Sequence, residues 1–272
     1  MVPANVIIMS AIYFIVSKYE SDPGYTAANF SFLRVIRFWY SVAIILICFK
    51  ETYYIIHSLK PDDWDAIFIK ADFAVFGFNP TQWIYKFSSP LLTEFLQVIY
   101  LFYYFIIMIY GLELYLWKRY EEYKFATFII VTGFYLCYIF YVIFPAIGPR
   151  FLLHNFADID TELPGIFLTK WIRIFLNFGE SIPAGVSNVQ DYAQRDAMPS
   201  AHTSLTLIIV YLSKKIKSKS YYFYLPFFIC MVISTIYLRY HYVIDIAAGI
   251  IFAFITIMIG ELVYKNGKYK ER

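Results

Sequence analysis

Charge is what this chain lacks most. Asp, Glu, Lys and Arg make up 16% of its 272 residues, against about 25% in soluble domains, which argues against an ordinary soluble domain. Cysteine is almost as scarce. Cys48, Cys137 and Cys230 stand at no short spacing, which indicates neither a metal cluster nor a disulfide framework. With 11 glycines the chain is no collagen-like fibre, and its apolar content excludes disorder. The net charge of +3 is too small to imply a nucleic-acid partner. No internal repeat and no low-complexity linker appears, so one membrane domain is expected. Histidine is confined to His57, His154, His202 and His241.

What remains is mostly apolar: 60% of residues, Tyr included. Crossing about 30 Å of hydrocarbon takes about 20 apolar residues at 1.5 Å each. Phe95 to Trp117, Phe125 to Ile147, Tyr221 to Leu238 and Tyr242 to Tyr264 meet that demand. Ile36 to His57 is weaker, interrupted by Lys50 and Glu51, and Ala201 to Ser213 is short. The expected fold is all-α, a polytopic membrane helical bundle, since irregular backbone cannot face lipid. The helices are expected at 36–57, 93–117, 125–145, 201–213, 221–238 and 242–264. Val2 to Val16 is a further short apolar segment, either interfacial, a signal anchor or a seventh helix. The organisation read from this is an N-terminal segment over 1–35, a transmembrane domain over 36–264 and a basic tail over 265–272.

Loop charges orient such a bundle. Arg34, Arg37, Lys118, Arg119, Lys124, Lys214, Lys215, Lys217, Lys219 and the Lys265 to Arg272 tail fall on one side. That side is predicted cytoplasmic. Two long loops, 58–92 and 146–200, then face the periplasm, the exterior or an organelle lumen, with a bacterial inner membrane as the expected location. Asn29-Phe30-Ser31 is a formal glycosylation sequon on the cytoplasmic side, where it carries no information.

Chemistry concentrates at the long-loop side. His241 and Asp245 are four apart and share a helix face, about 5–6 Å apart at Cβ. A carboxylate on one imidazole nitrogen leaves the other as a lone pair for attack. The bland alternative is a structural pair holding a helix end. Pro199-Ser200-Ala201-His202 reads as a helix start, where free N–H groups suit phosphate. The alternative there is a capping Ser and a solvent-facing His. Arg150 closes Pro145-Ala146-Ile147-Gly148-Pro149-Arg150 and could hold phosphate or snorkel at the interface. Arg239, Arg195 and Asp196 are phosphate contacts or rim charges. Together, two His, a carboxylate and two Arg make a phosphoryl-transfer set that needs no metal.

These residues resemble the type 2 phosphatidic acid phosphatase (PAP2) superfamily of lipid phosphatases and phosphotransferases. Its Pro-Ser-x-His motif is met by Pro199 to His202. Its His-x-x-x-Asp motif is met by His241 to Asp245, followed by Ala247, Ala248 and Gly249. Tyr237 to Tyr242, Asp72 to Pro80 and Pro145 to Arg150 look most like the branch containing inositol phosphorylceramide synthases and their bacterial relatives. Two departures stand out. The first motif's Lys, seven before Arg150, is Ile143, and the third motif's Arg, six before His241, is Thr235. The resemblance implies a six-helix core and a phosphohistidine mechanism. His241 would be the nucleophile, Asp245 its orienter, and His202 the acid and then the base. Arg150, Ser200 and Arg239 would bind phosphate. No metal or other cofactor is implied, and the partner is a lipid phosphate.

The readings left open are hydrolysis, transfer of a phospho-headgroup to a lipid hydroxyl, and, from another class, a non-catalytic transporter or scaffold. Two geometric expectations follow. Pro199 to Ser213 spans only about 22 Å at 1.5 Å per residue, so Lys214 and Lys215 snorkel inward or His202 sits recessed. Ile166 to Phe178 either lies along the interface as a substrate gate or forms a plain loop helix.

Overall fold

Apolar runs with few breakers form helices here, and the computed structural model, mostly helical, describes residues 32–59, 62–183, 185–186, 188–270 and the isolated positions 10, 11 and 14. The apolar segment Val2 to Val16, the sequon and the side chains of the basic tail therefore lie largely or wholly outside what is described. The chain divides into two units, residues 1–59 and 60–272.

The first unit contributes α1 (Phe32–Leu59), which runs unbroken through Lys50 and Glu51. Its polar side chains bond back to its own carbonyls. Thr52 Oγ1 donates to Cys48 O at 2.9 Å, and His57 Nδ1 lies 2.9 Å from Tyr53 O. Such back-bonding satisfies polar groups within an apolar helix.

In the second unit, the 58–92 segment is largely helical rather than a loop: α2 (Asp65–Phe76) and α3 (Pro80–Ile84) precede α4 (Pro90–Leu116). Ser89 caps α4 by accepting Leu92 N–H at 3.4 Å, with Pro90 in its first turn. Next comes α5 (Tyr120–Ile143). The 146–200 segment also folds, into α6 (Pro149–Leu152), α7 (Ile159–Glu162), α8 (Thr169–Gly179) and α9 (Val189–Tyr192). The bundle closes with α10 (Ala201–Lys215), α11 (Tyr221–Tyr237) and α12 (Val243–Lys270).

Among the described residues, four helices are long and apolar enough to cross a membrane: Phe38–Leu59, Pro90–Leu116, Tyr120–Ile143 and Val243–Tyr264. That is consistent with an integral membrane protein. The short α10 owes its weak signal to its position. It packs against α4, α5, α11 and α12, with Thr203, Ser204, Thr206 and Ser213 all buried along it. A helix surrounded by protein meets little lipid and need not be uniformly apolar.

Within the second unit, described basic residues of the 118–124 and 214–219 turns make contacts at one end of the bundle. Arg119 Nη2 lies 3.0 Å from Glu122 and 3.3 Å from Ile216 O, and Lys215 pairs with Glu261 at 2.5 Å. At the other end α5 finishes, α10 starts, and the α11–α12 turn crosses. Close approach there depends on Gly249 in α12: a Cβ on it would lie 2.6 Å from Ser200 O. Any larger residue would push α12 away from the start of α10.

Candidate active site

The segment leaving α5 is held in place by acids of the preceding helix. Asp65, at the start of α2, accepts the N–H of Ile147 at 3.0 Å and of Gly148 at 2.9 Å. It also accepts Tyr242 O–H at 2.8 Å. Burial is the largest influence on Asp65 and raises its carboxyl, while these hydrogen bonds oppose the shift. Gly148 has φ +93°, and a Cβ there would lie 2.7 Å from Tyr240 O, so the turn needs glycine. It delivers Arg150, whose N–H donates to Arg239 O at 3.0 Å.

Asp72, two turns beyond Asp65 on α2, reaches the start of α12. It accepts Val243 N–H at 2.8 Å and Ile244 N–H at 2.9 Å. Asp245 accepts Tyr242 N–H at 2.8 Å. Three of the free N–H groups that open α12 are thus met by two carboxylates. Ser200 caps α10 in the same manner, with Oγ accepting Thr203 N–H at 3.3 Å and Thr203 Oγ1–H at 3.1 Å. Its own N–H donates to Asp245 O at 3.0 Å. The helix carrying His202 is therefore tied to the helix that follows His241.

The two histidines meet. His202 Nδ1 lies 3.2 Å from His241 Nε2. His241 Nδ1 lies 2.9 Å from Ala197 O and 3.4 Å from Asp245 Oδ2. A carbonyl only accepts, so Nδ1 of His241 carries the proton and Nε2 is its lone pair. The sharper contact belongs to the carbonyl, and Asp245 stands behind it as a buried carboxyl group. Burial is the largest influence on His241 and holds it down at about 4. Asp196 and the Ala197 carbonyl pull the other way, while Arg150 adds to the lowering. The imidazole is neutral at pH 7.

Aromatic rings fix His202. Tyr100 stacks on it at 4.4 Å and Tyr103 tilts against it at 4.2 Å. Tyr100 also stacks on Tyr240 at 4.1 Å. His202 Nε2 and Asp245 Oδ1 have no hydrogen-bond partner in the protein.

The two arginines differ in surroundings. Arg150 is 3% exposed, with Cζ 4.5 Å from the Phe151 ring and 4.6 Å from the Tyr240 ring. It pairs with Glu180, and Asn177 Oδ1 accepts from its Nη1 at 3.5 Å. Its charge acts on His241. Arg239 pairs with Glu162 and lies 5.4 Å from the Tyr85 ring. Arg239 is buried, at 1% exposure, and its charge acts on His154. Arg195 pairs with Asp63 at 2.7 Å. His154 Nε2 lies 3.1 Å from Thr81 Oγ1, and burial lowers its pKa to about 4. His154 thus stands outside the His202–His241 pair.

Sequence reasoning overlooked Asp65, Glu162, Glu180, Tyr100 and Tyr103. Asp72 carried a signal, since it opens the Asp72 to Pro80 stretch, but no role could be attached to it. Among the described residues no group of three or more His, Cys, Asp or Glu is placed to hold a metal ion.

The family model described as PAP2 superfamily matches residues 69–259, well over half of the chain. That match contains Asp72, Arg150, Ser200, His202, Arg239, His241 and Asp245. No curated protein and no solved structure matches the chain.

Proposed function

The chain belongs to the PAP2 superfamily, and from that premise we propose a lipid-phosphate phosphatase or phosphotransferase that works through a phosphohistidine. The observation that carries the reading is the contact of His202 Nδ1 with His241 Nε2 at 3.2 Å, with His241 Nδ1 held by Ala197 O.

His241 Nε2 attacks phosphorus, and the P–O bond to the leaving group breaks. The departing oxygen takes a proton from His202. The phosphate's negative charge favours the protonated form of His202 needed for that donation. His202, now neutral, then removes a proton from the acceptor hydroxyl. The acceptor oxygen attacks phosphorus and the P–N bond breaks. Asp245, buried behind His241, stabilises the positive charge that develops on the ring. Arg150 and the α10 N-terminus beyond Ser200 hold the phosphoryl oxygens, with the buried Arg239 as a second guanidinium.

Water as acceptor makes a phosphatase, and a lipid or polyol hydroxyl makes a transferase. The Asp72 to Pro80 and Tyr237 to Tyr242 stretches favour the second, as in inositol phosphorylceramide synthase-like proteins. The site faces the non-cytoplasmic side of a membrane, the bacterial inner membrane in this reading, since the basic ends lie opposite. The test is product identification with one labelled lipid phosphate while water and alcohols compete. Label should appear on His241 as an acid-labile, alkali-stable adduct. Turnover that survives in both His241→Ala and His241→Gln would sink the mechanism, and lipid translocation without phosphate release would favour the transporter reading.

A further inference from the structure

Helix α8 has two apolar faces and only one of them meets protein. Thr169, Ile172, Arg173 and Leu176 are buried. At 100° per residue, Trp171, Ile174, Phe175 and Phe178 lie on the opposite side. They continue from Phe167 as one stripe. Phe167 is 81% exposed, Trp171 69% and Phe178 81%. Lys170 and Asn177 lie between the two faces, on one flank. A water-facing helix of this length does not keep five large apolar side chains, two of them beside a Trp, without a partner.

The helix is anchored where a membrane-crossing helix begins. Glu94, in the second turn of α4, accepts N–H from Ile166 at 3.0 Å, Phe167 at 3.2 Å, Leu168 at 2.5 Å and Thr169 at 3.1 Å. It also accepts Thr169 Oγ1–H at 2.6 Å. One carboxylate thus caps α8 from another element and sets its start level with the start of α4. Leu91 and Phe95, beside Glu94 on α4, are themselves exposed. On the inner face, Arg173 bonds Asp160 at 2.6 Å, Leu163 O at 2.7 Å and Ile159 O at 3.2 Å. That clamp keeps the charged side in and the aromatic side out.

We propose that α8 docks in the headgroup region of the bilayer leaflet on the site's side, with Phe167, Trp171, Phe175 and Phe178 immersed. The occupant is lipid because the stripe continues the lipid-facing surface of α4, and because Trp and Phe over an apolar layer with a Lys on the flank suit that depth. The far end of α8 carries Asn177 and is followed by Glu180, both on Arg150. The docking surface therefore lies one short helix from the phosphate grip proposed above, and lipids in that leaflet lie beside the site.

The test uses the full chain in lipid nanodiscs, with Cys48 and Cys230 replaced by Ala and the buried Cys137 retained. Bimane is placed at Trp171→Cys, Phe178→Cys and Lys170→Cys in turn. Nitroxide carried near the headgroup end of the acyl chain should quench the probes at 171 and 178 several-fold more than the probe at 170. Aqueous iodide should show the reverse order. Probes at 171 and 178 open to iodide and untouched by the lipid-borne nitroxide would overturn the proposal. Quenching needs no turnover, so failure of the phosphohistidine reading leaves this test intact. A second arm uses Trp171→Ser/Phe178→Ser, whose side chains make no core contact: KM for a vesicle-borne lipid phosphate should rise several-fold while that for a short-chain soluble ester stays unchanged. Equal effects on both substrates would count against docking.

Discussion

His202 Nδ1 stands 3.2 Å from His241 Nε2, closer than two groups that handle one phosphoryl between them can be. Reacting atoms approach to about 3–3.5 Å, and a phosphoryl with its leaving oxygen needs one such approach on each side. The proposed mechanism therefore requires the rings to part when substrate binds, with Tyr100 and Tyr103 against His202 as the wall along which its ring would turn. A structure with bound orthovanadate should show that distance lengthened and the His241–Ala197 contact kept. An unchanged pair with vanadate bound elsewhere would refute the arrangement.

His202→Ala is expected to lower kcat by about 10²–10⁴-fold, the usual contribution of a positioned acid or base. His241→Ala should remove the phosphoenzyme altogether. The pair should not be additive, because both act on one phosphoryl. Single and double variants assayed for phosphate release from one lipid phosphate decide this.

pH acts through His241, whose pKa burial lowers to about 4 from about 6.5. In the free enzyme its lone pair survives well below pH 6, so the acid limb of kcat/KM from this residue lies nearer 4. Stability follows with a definite sign. Between those values the unfolded chain binds more protons than the native one, so stability falls as pH drops from about 6.5 toward about 4. His154, also lowered to about 4, acts in the same sense. Asp65 and Asp72, raised by burial, act in the opposite sense, stabilising most at low pH. Thermal midpoints of His241→Gln and the parent, scanned from pH 7.5 to 4.5 in detergent, should converge as pH falls. Parallel curves would contradict the assignment.

Asp72→Ala strips the acceptor from Val243 and Ile244 N–H. Loss of such a cap costs about 0.5–2 kcal/mol. Because the capped turn directly follows His241, kcat should fall with KM nearly constant, and Asp72→Asn should recover part of it. Denaturation midpoints and initial rates measured together separate the two effects.

Glu180 occupies Arg150 as a phosphate would. Glu180→Gln leaves a buried guanidinium without its counter-charge, which is destabilising. It should also raise the affinity for inorganic phosphate, whose stabilisation follows RT ln(1 + [L]/Kd). The thermal shift on adding phosphate is expected to exceed that of the parent. Glu162→Gln, at the rim on Arg239, should change that shift less. Equal phosphate shifts in parent and both variants would remove Glu180 from any role at the grip.

Much of the site was legible because its chemistry is local. Four residues separate His241 from Asp245, and Pro199 to His202 is one uninterrupted turn. Helix spacing alone says such neighbours share a face or a cap. Asp65, Asp72, Glu162 and Glu180 were not legible for the opposite reason. Each acts on a partner between 77 and 177 positions away, or, for Glu180 and Arg150, 30 away across two short helices, and single-sequence periodicity has no term for that. The two long segments read as loops because polar residues interrupt their apolar runs. Those same polar residues proved to be caps and clamps.

Composition and loop charge by themselves determined that the chain is helical, apolar enough for a membrane and polarised in its basic residues, because burying backbone in lipid admits few other solutions. Sequence motifs also marked His202, His241 and Asp245. Only the tertiary structure decided that Ala197 O rather than Asp245 makes the shorter contact to His241, that Arg150 and not Arg239 acts on that ring, and that α8 turns an aromatic face outward. Those outcomes depend on which distant carboxylate reaches which N–H or guanidinium first. That competition is settled by packing and not by any local pattern.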